Sequence, residues 1–273
     1  AASDVYKRQI MMFGKTQSVT DQECMPWFFP DYREHLTETE GERWSDRLYP
    51  DGTWEVNVYQ YFTLVFQKLS KLLPKPFRLA EDGVTRLEYS PAHTAVREAL
   101  ANALIHAQHN SMGNVVVDSW TDRIVISNPG SMLVSVDEFY EGQHSVCRNP
   151  LLQKMFVFIG VGEKAGSGAD VIVKGWEDQK WTKPVIEEHS DPERVEIEMR
   201  MVKEGEQVAG QVAGQVTGQV KETVRRLVLV LGKQTLPRKH IMELLSLKGR
   251  DNFRVNYMEP SLEEGFVAKL YPD

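Results

Sequence analysis

The apolar positions of the chain fall into a few runs, and the period of each run predicts its structure. Residues 55–73, EVNVYQYFTLVFQKLSKLL, place Val58, Phe62, Val65, Leu69 and Leu72 on one stripe at helical spacing, and Pro74 and Pro76 end it. A second helix starts at Ser90-Pro91, with Ser as N-cap and Pro at the first helical position. It runs on through REALANALIHAQH, residues 97–109. Small apolar residues surround this helix on most sides, so it is expected to be buried. One face departs from that pattern: Glu98, Asn102 and His106 follow one another at steps of four and therefore share a side. NVVVDSW (114–120) and DRIVISN (122–128) flank a short turn and read as a hairpin. NPLLQKMFVFI (149–159) reads as a helix, and GSGADVIVKGW (166–176) as a Gly-rich turn opening another. RVEIEMRM (194–201) alternates, with Val195, Ile197, Met199 and Met201 on one face of a half-buried strand. The order helix, hairpin, helix, helix, strand predicts an α+β fold, with helices on one face of a mixed, mostly antiparallel sheet.

The flanking segments read differently. Residues 10–54 are loop-rich and aromatic, with Trp27, Phe28, Phe29, Trp44 and Trp54 among Pro, Asp and Gly. They are read as an extension leading back to an N-terminal domain that the chain lacks. The triplet Gly14–Thr16 has Gln9 where a phosphate-binding loop needs its first glycine, so no such loop is expected. Within residues 1–9, DVYKRQ is similar to one translated frame of a sequencing-library adapter, and these nine residues are set aside as an artefact. Residues 203–220 contain a four-residue repeat, QVAGQVAGQVTGQV, with Val at 208, 212, 216 and 220. An interior Gly costs a helix about 1 kcal/mol relative to Ala, so the repeat reads as a linker with nascent helicity. Residues 221–273 predict three short helices and the first strand of a wing, a small winged helix-turn-helix with an incomplete wing.

Charge refines this division. The whole chain carries −7, but residues 221–273 hold ten Lys and Arg against seven Asp and Glu, leaving −10 on the rest. A mildly basic tail on an acidic body points to an anionic partner for the tail. Two cysteines, Cys24 and Cys147, supply neither a disulfide framework nor metal-site spacing, in keeping with a reducing cytoplasm. No apolar run approaches the roughly 18 residues of a membrane helix, and no signal peptide is visible.

REALANALIHA, followed in order by DRIVISNPGSM, HSVCRNPLLQKMF and GEKAGSGAD, resembles a known family. It is the histidine-kinase-like (GHKL, Bergerat-fold) ATPase domain of bacterial transcriptional regulators often labelled ATP-dependent DNA helicase RecG C-terminal. The resemblance runs from about residue 12 to the end of the chain. It implies a GHKL-like sandwich over residues 55–202, ATP and Mg²⁺ as cofactors, and a winged helix after it. It also implies a preceding Schlafen/AlbA-like domain, near whose end the chain is expected to begin. The helicase label itself has no support in the chain, which lacks a P-loop and a second motor domain.

The resemblance assigns roles that also have physical readings. Glu98 and Asn102 match the E-x-x-x-N box: the amide oxygen of Asn102 suits Mg²⁺, and Glu98 one turn earlier can accept a proton from an attacking water. Taken by spacing alone, the pair reads first as a solvated helix face, since E-x-x-x-N is common in helices. His106 either helps the phosphates or only caps the polar stripe. Asn128 and Gly130 fall where the family carries D-x-G-x-G. An Asn there can still accept from an adenine amino group, but the charge-assisted bond is lost, and Asn-Pro-Gly is also an ordinary turn. Gly166 and Gly168 before a helix can close backbone N–H groups on a phosphate, with Lys164 above it. Arg148 and Asn149 are either a second phosphate contact or lid packing. In the tail, Arg250, Asn252 and Arg254 stand at the start of a recognition helix and are expected to meet DNA.

The leading expectation is a cytoplasmic regulator that couples nucleotide binding to a DNA-binding winged helix, with a homo-oligomer left open. Two other readings are a working ATPase in defence or DNA processing, and a binding protein whose core no longer takes nucleotide.

Overall fold

A computed structural model describes residues 2–36, 43–75, 89–142, 146–162, 168–203, 222–231, 236–245, 247, 249–263 and 267. It divides into two compact units, residues 1–204 and 205–273.

The first unit is built on one open sheet. Its strands are β1 (Asp31–His35), β2 (Asp46–Leu48), β3 (Val116–Trp120), β4 (Arg123–Pro129), β5 (Val185–Ser190) and β6 (Glu193–Arg200), in the order β2-β1-β3-β4-β6-β5. β1 and β3 run parallel and the other neighbours antiparallel. The sheet is therefore mixed and mostly antiparallel, as the sequence predicts. Period-2 alternation sends Val117, Ile124, Ile126, Ile197 and Met199 to the core face. The register sets Ile124 opposite Met199, Ile126 opposite Ile197, and Asn128 opposite Val195. Asn128 is thus the last member of the inward row Ile124, Ile126, Asn128, and it is buried with them. The other face is polar: Arg33 Nε and Nη2 hold Asp118, and His35 stacks on Trp120.

Helices cover the core face. α1 (Ala2–Phe13), α2 (Thr16–Val19), α3 (Val58–Leu72), α4 (Pro91–His106), α5 (Val136–Glu141), α6 (Pro150–Phe158) and α7 (Gly168–Glu177) follow in chain order. α4 is the central one, packed against α3, α6, α7 and β4. Its start is as predicted: Pro91 stands in the first turn, and the Ser90 N–H donates to His93 Nδ1 at 3.1 Å. Its apolar faces are buried, with Ala92, Ala95, Val96, Leu100, Ala101 and Leu104 all inaccessible. On α3 the stripe Val58, Phe62, Val65, Leu69 is buried, and Leu72 is only half-buried.

Residues 10–54 differ from the loop-rich extension read in the sequence. They contribute β1 and β2 to the sheet, and Met11, Met12, Val19, Met25 and Phe28 to the core. The residues set aside as an artefact, 1–9, fall largely in α1, where Val5 and Tyr6 are exposed. Gly14–Thr16 opens α2, where Thr16 gives its backbone N–H and its hydroxyl to Glu55 at 2.6 and 2.9 Å.

The second unit has helical segments at Glu222–Leu231, at Arg238–Leu244, and in a run from Arg250 to Glu263 whose middle, Arg254–Met258, is π-helical. Leu227, Ile241, Leu245, Phe253 and Tyr257 form its core. Apart from Val267, the predicted wing strand lies outside the described residues, as does nearly all of the repeat linker.

Candidate functional site

The polar face of α4 opens into a cavity of about 160 Å³ between that helix and the core face of the sheet. Helical spacing brings Glu98, Asn102 and His106 to its wall together. Strand alternation brings Asn128 to the same cavity from β4. Arg148, ahead of α6, and Gly168, the first residue of α7, also line it, as do Ser131 and Gln153. An apolar side is made by Met132, Leu133, Val134 and Phe139 from the loop and helix after β4, facing Ile126 and Ile197 of the sheet.

Burial tunes the titratable groups. Removal from water pushes the Glu98 carboxyl up from its ordinary value, against a smaller opposing pull from Arg97. The His106 imidazole is pushed down, first by burial and then by the charge of Arg148. His109, just beyond α4, is held down to about 4 by burial. Its Nε2 lies 2.8 Å from the Leu104 carbonyl.

The backbone of α7 closes on the Glu98–Asn102 pair. A Cβ added at Gly168 would lie 2.9 Å from Asn102 Nδ2 and 3.0 Å from Glu98 Oε1. A side chain at residue 168 would therefore oblige the ends of Asn102 and Glu98 to shift. The donors gathered here, an amide, a carboxylate and a backbone glycine, are of the hard oxygen and N–H type that suits Mg²⁺ and phosphate. Among the described residues, no group of three or more His, Cys, Asp or Glu side chains is placed to hold a metal ion. A cation here could draw on the amide oxygen of Asn102 and on oxygens brought by a ligand.

The predicted residues divide as follows. Glu98, Asn102, His106, Asn128 and Gly168 share the cavity. Gly130 does not line it: at φ +99° it turns the chain beside Gln108 and Arg148. Lys164 and Gly166 lie outside the described residues. Asn128 Nδ2 has the carbonyl of Pro129 at 3.4 Å, a long contact. In the tail, the side chains of Asn252 and Arg254 are exposed, and Arg254 Nε sits 3.6 Å from Glu259. Arg250 begins the third helical run, and its side chain lies outside the description. The apolar wall at 132–134 and Phe139 was not foreseen, because no periodic run marks it in the sequence.

Arg148 and Asn149, left between two roles by the sequence, hold the end of α4. Asn149 Nδ2 donates to the carbonyls of Ile105 and Ala107 at 2.8 and 2.9 Å. Arg148 Nε donates to His106 O at 2.9 Å, and Nη2 to Ser131 O at 2.7 Å. With His109 on Leu104 O, four successive carbonyls, 104 to 107, are met by side chains. A helix leaves its last four carbonyls without intrahelical donors, and the guanidinium also complements the negative end of the helix dipole.

Residues 113–197 match the family model described as "Putative ATP-dependent DNA helicase recG C-terminal", an ATPase-like family. The matched segment holds Asn128, Gly130 and Gly168 but begins after α4. Residues 222–273 match the family model for the C-terminal domain of proteins described as "Filamentation induced by cAMP protein Fic-like". Among solved structures, the DIP2311 protein from Corynebacterium diphtheriae shares the fold over 82% of this chain, with 18% identity and a TM-score of 0.51. The chain spans 36% of the length of that protein. No curated protein matches the chain. No described helix is long and apolar enough to cross a membrane.

Proposed function

We propose that the first unit is a GHKL-type domain that binds an adenine nucleotide with Mg²⁺. The observation that carries this reading is the convergence of Glu98, Asn102 and Asn128 on one cavity, with the backbone of Gly168 against the first two. The match of 113–197 to an ATPase-like family supports it independently, since that segment supplies the other side of the cavity. At about 160 Å³ the cavity is smaller than the roughly 300–1,000 Å³ of pockets that enclose a whole drug-sized ligand. It suits a base, packed between Met132–Val134 and the sheet, with the phosphates reaching toward Asn102 and the start of α7. The Asn128 oxygen accepts from the exocyclic amine. Asn102 holds the cation, which when bound neutralises phosphate charge. Glu98, a stronger base for its raised pKa once ionised, accepts the proton of an attacking water.

The second unit, in this reading, is a winged helix that meets DNA through Arg250, Asn252 and Arg254, and the protein is a cytoplasmic transcriptional regulator. The exposure of Asn252 and Arg254 near the start of the third helical run supports this. Calorimetry with ATP, with and without Mg²⁺, tests the central claim. Mg²⁺-dependent binding is expected in wild type and its loss in Asn102→Ala. Equal affinity in the two proteins overturns the assignment.

A further inference from the structure

Arg148 stands where the two walls of the cavity meet. Its guanidinium Nε holds the C-terminus of the helix that carries Glu98, Asn102 and His106, through His106 O at 2.9 Å. Its Nη2 holds the loop that follows β4, through Ser131 O at 2.7 Å. That loop continues into Met132, Leu133 and Val134, the apolar side of the cavity. Asn149, 6% exposed, fixes the same helix end from the next position by two further bonds. A Cβ at Gly130 would crowd the Gln108 side chain at 3.0 Å and meet Arg148 Cζ at an ordinary contact distance of 3.5 Å. The φ of +99° at Gly130 also disfavours any other residue.

We infer that Arg148 is a positioning residue that clamps the motif helix to the apolar loop wall and so sets the width of the cavity. This rests on the nucleotide reading for its ligand, but the clamp itself is a property of the fold. A planar fork reaches two carbonyls in fixed directions, which a lysine ammonium cannot reproduce. Arg148→Lys keeps the charge and loses the fork, whereas Arg148→Met loses both.

The test uses the full chain and both variants, with thermal melts to show that each is folded. ATP affinity is read by calorimetry with Mg²⁺. The His106 titration and the amide shifts of residues 131–134 are read by NMR without Mg²⁺. Both variants are expected to bind ATP about tenfold more weakly, because the free protein no longer holds the cavity at its binding width and binding must supply that ordering. Both should move the amide signals of 131–134. Only Arg148→Met should raise the pKa of His106, because only it removes the neighbouring charge. A variant that merely loosened the fold would not separate these two readouts. Wild-type ATP affinity in both variants, with residues 131–134 unmoved, overturns the clamp. If wild type binds no ATP, the nucleotide reading fails and the amide signals decide alone. Movement at 131–134 in Arg148→Lys then supports the clamp, and changes confined to the neighbours of residue 148 refute it.

Discussion

Replacing His109 by Gln should change how the first unit responds to acid, and the size of the effect follows from where the ring sits. His109 is 7% exposed, edge-on to Phe28, with Nε2 2.8 Å from Leu104 O. Burial holds its pKa near 4, against an ordinary 6.5. A folded pKa below the unfolded one means that the unfolded chain takes up the proton first. The stability from keeping the ring neutral is therefore whole above about pH 6.5 and drains away as pH falls toward 4. At roughly 1.36 kcal/mol per pH unit the gap is worth about 3 kcal/mol, and about 2.5 kcal/mol of it is lost by pH 4.5. Gln can keep a donor near Leu104 O but does not titrate. Urea unfolding between pH 7.5 and 4.5 checks this, followed by tryptophan fluorescence. All six tryptophans, at 27, 44, 54, 120, 176 and 181, lie in the first unit, so the signal reports that unit alone. The shifts at His93, His106 and Glu98 are common to both proteins and cancel in the difference. Wild type should lose about 2–3 kcal/mol more than His109→Gln over this range. Parallel losses in the two proteins would refute the reasoning.

Three other outcomes are expected. Glu98→Ala should leave ATP binding largely intact and abolish any hydrolysis, read as phosphate release; an unchanged rate removes Glu98 from the base role. Gly168→Ala should weaken Mg²⁺-ATP binding, because the added methyl would press within about 3 Å of Asn102 and Glu98; calorimetry showing wild-type affinity contradicts that contact. Replacing both Arg250 and Arg254 by Ala should weaken duplex DNA binding and flatten its salt dependence by roughly one unit of slope per lost phosphate contact. Identical binding at low salt would exclude this helix as the DNA-reading surface.

What could be read in advance was whatever has a period. α3, α4, the β3–β4 hairpin, α6, α7 and β6 each carry an apolar repeat against one core, and the polar triad of α4 was visible as a break in such a repeat. β1 and β5 carried no such signal. In Asp31–His35 only Tyr32 is a sizeable apolar residue on the core side, while Arg33 and His35 find Asp118 85 and 83 positions away. Val185–Ser190 is an edge strand with Ile186 as its main inward anchor. The roles of Arg148 and Asn149 were illegible for a related reason. Their partners are backbone carbonyls, at separations of 17 residues for Ser131 and 42 to 44 for the end of α4, and a carbonyl leaves no mark in a sequence.

The parallel pairing of β1 with β3 bears on how this domain can be made and cut. Asp31 meets Val116 across 85 residues of chain, so the middle of the sheet closes only after a long loop has been brought together. A fragment starting at residue 55 would keep the whole polar triad and the hairpin, yet lose β1 and β2. The flank of β3 that β1 covers would then be bare backbone, a template for pairing with another copy. Such a fragment should aggregate or pair through β3, even though every residue of the cavity is still present in it.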